Sequence, residues 1–92
     1  MKYVLAVMAS GVPSAHHFAQ ALTRQGHEIS QVFFYKDGVL SPHENWAAFN
    51  APLIACRTSC ETRGVHSSPF QMGTLTQFFD ALLKADRYVV FS

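Results

Sequence analysis

The chain has 92 residues, which suits a single domain and lies near the lower limit for a hydrophobic core that forms unaided. Its formal charge of +1, with 14% charged residues, gives no broad basic surface and argues against direct binding of nucleic acid. Hydrophobic residues make up 49% of the chain, which excludes intrinsic disorder, and no apolar run reaches the roughly 18 residues of a membrane span.

The first part of the chain predicts two strands joined by a helix. Residues 2–10 form an almost continuous apolar run, typical of a strand that is buried on both faces of a parallel sheet. In the helix that follows, Ser14 is the predicted N-cap and Gly26 the predicted C-cap. Residues 28–35 predict the second strand, and the Lys-Asp-Gly sequence after it predicts a turn.

The middle of the chain predicts a short helix and a third strand. Residues 41–50 can hold a short helix with Trp46 and Phe49 on one face. Residues 52–56 are brief and apolar, as expected for a buried strand, and residues 57–64 predict one or two helical turns.

The last part of the chain predicts a helix followed by a strand. Residues 65–73 are rich in turn-forming residues and are predicted to be a loop. Residues 74–85 predict a helix that begins near Gly73 or Thr74, and residues 86–92 predict the final strand. The apolar side chains predicted to face inward from this helix are Leu75, Phe78, Phe79, Leu82 and Leu83.

The order β-α-β-α-β-α-α-β predicts one α/β domain over residues 1–92, with three α/β/α layers and a mostly parallel sheet. In such sheets, ligands bind beyond the carboxyl ends of the strands. Cys56 ends the third predicted strand at that edge, where the next helix begins. We therefore expect the chemistry of the chain at Cys56.

Cys56 has the setting of a reactive thiol. The N–H groups at a helix N-terminus favour the thiolate form, and Arg57 and Arg63 add positive charge nearby. A thiolate at this position can accept a sulfane sulfur as a persulfide and pass the outer sulfur on. The alternative is a packing role, because cysteine is among the residue types most often buried.

Cys60 follows Cys56 by four residues, on the same face of the predicted helix. It could resolve Cys56 as a disulfide, but packing within the helix is the simpler interpretation. Two cysteines this close cannot link distant parts of a domain. Together with the absence of an export signal, this spacing predicts a reduced, cytoplasmic protein.

The five histidines do not complete a metal site with the cysteines, because the paired spacing of structural zinc sites is absent. Neither a metal nor another cofactor is predicted. His16 and His17 point to different helix faces. Either could lie near Cys56 and steady a thiolate, although an exposed helix histidine is the simpler interpretation.

Three ordered blocks of the sequence carry a resemblance to a known family. They are FAQALTRQGHEISQVFFYKDGV (residues 18–39), LIACRTSCETRGV (residues 53–65) and GTLTQFFDALLKADRYVVF (residues 73–91). They resemble the first helix and second strand, the cysteine-bearing segment with its Arg-Gly-Val, and the closing helix and strand of the DsrE/TusD-like sulfur-relay (sulfurtransferase) family. The resemblance covers most of the chain and implies the family's DsrE-like, Rossmann-like fold.

The resemblance implies an intracellular sulfurtransferase that works as a persulfide carrier, with Cys56 as the persulfide-bearing residue. Family members receive sulfur from a donor carrier protein and pass it to an acceptor protein with a mobile cysteine. The TusD branch serves tRNA 2-thiouridine synthesis, and the DsrE branch serves sulfur oxidation. The resemblance further implies assembly with TusB/TusC-like or DsrF/DsrH-like subunits in a hetero-oligomer, with a homo-oligomer as the alternative.

The chain departs from the family pattern near Cys56. The stretch between the second strand and Cys56 and the loop after Val65 are shorter than expected for the family, and Cys60 is not part of the family's motif. Two alternatives to a persulfide carrier stay open. One is a non-catalytic oligomerisation or regulatory subunit of the same fold, and the other is a redox switch that uses Cys56 and Cys60.

Overall fold

Five strands form one parallel sheet within the part of the chain that the computed structural model describes, which is residues 1–9, 13–41, 46, 49–65 and 70–92. In chain order, the strands are β1 Lys2–Val7, β2 Glu28–Phe34, β3 Leu53–Cys56, β4 Gln71–Gly73 and β5 Arg87–Phe91. Their spatial order is β4-β3-β2-β1-β5, and every neighbouring pair is parallel.

Helices cover both faces of this sheet, which confirms the predicted three-layer α/β/α class. They are α1 Pro13–Arg24, α2 Arg57–Thr62 and α3 Leu75–Lys84, with a 3₁₀ helix at Lys36–Leu40 in place of the predicted turn. Successive strand residues point to opposite faces of a sheet. The α1 side buries Leu5, Val7, Val32, Phe34 and Ala55 together with Ala15, Ala19 and Leu22. The α3 side buries Val4, Ala6, Phe33, Ile54 and Cys56 together with Phe78.

The prediction of a loop over residues 65–73 is wrong for Gln71–Gly73, which form β4. This strand pairs with β3, where Gly73 lies opposite Cys56. A strand of three residues is too short to give a detectable alternation of apolar and polar side chains. Residues 66–69 of the predicted loop lie outside the described residues.

The ends of α1 agree only in part with the prediction. The helix begins at Pro13, one residue before the predicted N-cap Ser14, so that prediction is wrong. Proline suits the first position because it lacks the N–H group that a helix start leaves unpaired. Gly26 follows the helix with a φ of +83°, as predicted for its C-terminal cap. The predicted helix over residues 41–50 lies mostly outside the described residues.

The apolar stripe of α3 is wider than the row of side chains that touches the sheet. Phe78 is buried and Leu82 is partly buried, as predicted. Leu75, Phe79 and Leu83 are exposed, so the prediction that they face inward is wrong. A helix that rests on a sheet buries only its nearest row, and the adjoining rows stay exposed unless another element covers them.

The edge strand β5 extends this uncovered surface. Tyr88 and Val90 pair in register with Val4 and Ala6 of β1, and they therefore point to the α3 side, where both are exposed. We call the exposed apolar side chains of α3 and β5 the α3–β5 face, which consists of Leu75, Phe79, Leu83, Tyr88 and Val90.

In the described ranges, no helix has the length and apolar character needed to cross a membrane.

A capping box fixes the start of α3. Thr74 Oγ1 accepts a hydrogen bond from the Gln77 backbone N–H at 3.3 Å, and Gln77 Oε1 accepts one from the Thr74 backbone N–H at 2.9 Å. Two N–H groups at the helix start are thereby paired. Because Thr74 directly follows Gly73, the box places the first turn of α3 beside Cys56.

The variant Thr74→Ala should lower the free energy of unfolding by about 1 kcal/mol, because it removes the N-cap acceptor of α3. Thr76→Ala is the matched control: Thr76 is exposed in the same turn, and its loss should cost less than about 0.5 kcal/mol. Urea denaturation measures both values. Equal losses in the two variants would contradict the capping role of Thr74.

Candidate active site

Cys56 lies where β3 ends and α2 begins, at the carboxyl edge of the sheet. It is the N-cap of α2, with φ −66° and ψ 121°, and its side chain makes no capping hydrogen bond. Gly73 of β4 is its paired neighbour on one side. Tyr35 is its neighbour on the other side, because Phe34 pairs with Ala55 and the extended backbone of Tyr35 continues that register by one residue.

The side chain of Cys56 points to the α3 side of the sheet. It packs in the cluster that contains Phe33 and Phe78, and the residue is 5% exposed. The thiol therefore lies at the start of α2 and close to the first turn of α3. The unpaired N–H groups at helix starts favour negative charge.

Gly73 permits the close approach of β4 and α3 at this position. A Cβ atom on Gly73 would overlap Ile54 Cγ2 and would lie 2.8 Å from Gln77 Oε1. A larger residue would therefore displace the capping side chain of Gln77, which fixes the start of α3. The glycine keeps the strand beside Cys56 free of a side chain.

A strained residue lies next to this site. Lys36, which follows Tyr35, has a φ of +53°, a left-handed conformation that residues other than glycine adopt rarely. Its backbone N–H donates a hydrogen bond to Ser59 Oγ in α2 at 2.8 Å. This hydrogen bond links the end of β2 to α2, the helix that Cys56 caps. Strain of this kind persists where the surrounding contacts enforce it, and it is common at functional sites.

Arg63 reinforces the same link. Its Nε donates to Asp37 Oδ1 at 2.8 Å, and its Nη1 donates to the backbone oxygen of Ser59 at 3.4 Å. The positive charge that the sequence places near Cys56 is therefore paired with Asp37 in the 3₁₀ helix.

In the 3₁₀ helix, a Cβ atom on Gly38 would overlap the backbone oxygen of Val7, so only glycine allows the 3₁₀ helix to pack against the end of β1.

Arg57 is the first residue of α2, and its side chain is exposed. A cavity of about 380 Å³ is lined by Arg57, Cys60, Glu61, Val65 and Met72. Cys56 is not among the lining residues of this cavity. Solvent and salt screen the charge of an exposed guanidinium. The role of Arg57 in stabilising the Cys56 thiolate therefore stays a prediction.

Cys60 is completely buried on the α1 side of the sheet. Burial raises the pKa of the Cys60 thiol, negative charge on Cys56 and Glu61 raises it further, and Arg63 opposes the shift. Cys60 is therefore a protonated and weakly nucleophilic thiol at neutral pH. Both cysteines are free, and they pack in different clusters. These observations favour the packing interpretation of Cys60.

His16, one of the two histidines predicted as possible neighbours of Cys56, packs on the other side of the sheet. The His16 ring lies 5.8 Å from the Trp46 ring and 5.3 Å from the Phe49 ring, between centroids, and Trp46 belongs to the α1-side cluster. Cys56 faces the α3 side, so His16 acts in packing, and His17 is exposed. No group of three His, Cys, Asp or Glu that could hold a metal ion occurs among the described residues.

The sequence-based interpretation missed Tyr35 and Gly73 as neighbours of Cys56. They flank it only because β3 lies between β2 and β4, and strand order is not stated by a sequence. One signal was available for Tyr35. It ends the second apolar run, and the carboxyl ends of parallel strands meet at one edge of the sheet.

Comparison with known proteins adds independent information. No family model matches the chain. The chain is 32% identical to sulfurtransferase TusD of Proteus mirabilis in an alignment of 110 positions, gaps included, which covers 85% of each protein. It is 31% identical to a sulfurtransferase TusD homolog of Pasteurella multocida, with 97% of this chain and 98% of that protein covered. The chain belongs to the TusD/DsrE family of sulfurtransferases.

The DsrE branch is represented as well. The chain is 29% identical to a putative sulfurtransferase DsrE of Allochromatium vinosum, with 85% of each protein covered. The alignment with the Pasteurella protein extends over 124 positions, whereas this TusD/DsrE-family chain has 92 residues. The relative therefore contains internal segments without a counterpart here, in agreement with the expectation of shortened connections.

The buried thiol of Cys60 should make stability fall at alkaline pH. The pKa of the Cys60 thiol is raised in the folded state. The stability that this thiol contributes is therefore complete below the unfolded pKa of 9.0 and is lost as the pH rises through the folded pKa. The loss can reach about 1.4 kcal/mol per pH unit. Urea denaturation between pH 7.5 and 10, under reducing conditions, should show a steeper loss for the wild type than for Cys60→Ala.

The control for this measurement is Cys56→Ser. It should keep most of the alkaline loss, because burial is the larger cause of the shift at Cys60. Parallel pH profiles for the wild type and Cys60→Ala would show that the thiol of Cys60 titrates as it does in the unfolded chain, contrary to this expectation.

Proposed function

We propose that this chain is a sulfur-relay subunit in which Cys56 accepts a sulfane sulfur as a persulfide and passes it to the thiol of an acceptor protein. The observation that carries the proposal is the position of Cys56, which caps α2 at the carboxyl edge of the sheet, beside the first turn of α3. Relatives named as sulfurtransferases support this activity.

The proposed exchange needs no net oxidation or reduction. The Cys56 thiolate attacks the outer sulfur of a persulfide on the donor protein, and the donor's own sulfur leaves as a thiolate. A thiolate of the acceptor then attacks the outer sulfur on Cys56, and Cys56 returns to the thiolate form. The starts of α2 and α3 favour the negative charge that the sulfur carries before and after each transfer. Arg57 adds a screened positive charge.

A specific observation favours a second candidate, a non-catalytic subunit of the same fold. Cys56 is 5% exposed, as a packing cysteine would be. A carrier with so little exposure requires a partner that presents its sulfur on a flexible segment, whereas a packing cysteine requires no access. Thiol reactivity separates the two candidates.

The proposed partners are a sulfur-donor carrier protein, an acceptor protein with a mobile cysteine, and subunits that are TusB/TusC-like or DsrF/DsrH-like. The α3–β5 face supports association, because monomers rarely leave large apolar side chains uncovered in one region, and Leu83 alone is 85% exposed. The proposed process is tRNA thiolation or sulfur oxidation in the cytoplasm, as the resemblance to the two branches of the family implies, and the names of the relatives support the sulfurtransferase activity itself.

Incubation of the purified chain with a persulfidated donor should add about 32 Da per sulfur atom to the wild type, measured as intact mass. Cys56→Ser should abolish the gain, because it removes the attacking sulfur. Cys60→Ser is the matched control and should retain most of it, because Cys60 is buried and protonated. Loss of the gain in Cys60→Ser alone would overturn the assignment of Cys56.

Alkylation by iodoacetamide tests whether Cys56 is a reactive thiol. For a carrier, Cys56 should react at pH 7.5 at least about tenfold faster than Cys60, which serves as the buried reference within the same molecule. Trypsin cleaves after Arg57, so the two cysteines fall in different peptides and their alkylation is measured separately. Equally slow alkylation of both would support the non-catalytic subunit.

A further inference from the structure

We propose that the hydroxyl group of Tyr35 donates a hydrogen bond to the terminal sulfur of the persulfide on Cys56 and holds that sulfur in one orientation. This inference rests on the proposed persulfide chemistry. It adds a second side chain to the site, from the strand next to that of Cys56.

The register of the sheet brings the two side chains together. Phe34 is paired with Ala55, so Tyr35 and Cys56 are the next residues of adjacent parallel strands. Such strands lie about 4.7–4.9 Å apart. Tyr35 has φ −145° and ψ 167°, so the alternation of β2 continues and its side chain points to the same face as Phe33. Cys56 points to that face as well.

The position of the tyrosine ring is defined from several directions. Its centroid lies 5.8 Å from that of Phe33 and 6.3 Å from that of Phe78 in α3. The backbone N–H of Tyr35 donates to the oxygen of Val7 at 3.0 Å. The next residue, Lys36, is held in its left-handed conformation by Ser59. The ring is therefore ordered before any sulfur arrives, which lowers the entropic cost of binding.

The hydroxyl group is available for a ligand. Tyr35 is half-buried, and no hydrogen bond between its hydroxyl and another of the described residues is present. The hydroxyl is not among the buried side-chain atoms that lack a partner, so it is open to solvent and can exchange a water molecule for a ligand. A donor on the face that holds the thiol is therefore accessible to a sulfur atom that arrives there.

The terminal sulfur of a persulfide anion is a stronger hydrogen-bond acceptor for this donor than the thiol is. An S–S bond of about 2.05 Å carries the terminal sulfur beyond Sγ, to which the hydroxyl makes no hydrogen bond. The terminal sulfur carries the negative charge of the persulfide anion, and hydrogen bonds to charged acceptors are stronger than those to neutral ones. Tyr35 would thus stabilise the loaded protein without altering the unloaded thiol.

The test compares the loaded and unloaded states of wild type and Tyr35→Phe. The full chain is equilibrated with glutathione persulfide and glutathione at a fixed ratio, and the ratio of persulfidated to free Cys56 is measured by intact mass. Tyr35→Phe should lower this ratio about tenfold and should leave the alkylation rate of unloaded Cys56 within about twofold of wild type. The ring is retained, so the variant keeps the packing with Phe33 and Phe78.

Tyr88→Phe is the matched control, because it removes a tyrosine hydroxyl from the exposed surface of β5 and should leave both quantities unchanged. Wild-type loading in Tyr35→Phe overturns the role of Tyr35 and leaves the role of Cys56 intact. A parallel loss of loading and of thiol alkylation assigns Tyr35 to packing and also overturns it. A wild-type chain that takes up no sulfur on Cys56 overturns the proposed function and this inference together.

Discussion

A parallel sheet must be covered on both faces, and few helical residues are available to cover this one. The α1 side is closed by a helix of small and branched apolar residues, Ala15, Ala19 and Leu22, which lie close to the sheet. The α3 side is covered along one row only, which centres on Phe78. Cys56 lies beside the first turn of α3, and the rows of α3 that do not touch the sheet form the α3–β5 face together with β5. The candidate site and the candidate association surface thus lie on the same side of the sheet.

The two cysteines lie in different environments although they are close in the sequence. They are four residues apart, yet the sheet and α2 send their side chains into different clusters. Cys60 lies in an apolar interior that penalises the charged form, and its thiol keeps its proton. Cys56 lies at the carboxyl edge of the sheet, where β3 ends and α2 begins, which is the position that the proposed sulfur transfer uses. The spacing of the two cysteines in the sequence does not reveal that their environments differ.

Much of the fold could be predicted from local pattern, and the exceptions have physical causes. Strands β1 and β3 and the second half of β2 are apolar runs because both their faces are buried, and such runs are visible in the sequence. Strand β4 is too short to show a period. The apolar stripe of α3 predicts inward-facing side chains, but an amphipathic pattern does not show how much of the stripe another layer covers. Cys56 could be singled out because it ends a run, whereas Tyr35 depends on strand order.

The order of the strands also bears on how the chain folds. Strands β1 and β2 are connected through α1, but β5 pairs with β1 across nearly the whole chain, and Lys2 N–H bonds to the Asp86 carboxylate across 84 positions. Closing the larger loop costs more chain entropy, and long-range pairing is slow. The strands that surround Cys56 are joined by shorter loops, so this edge can form before β5 docks. In a nascent chain, the thiol would then be in place while the last strand is still unpaired.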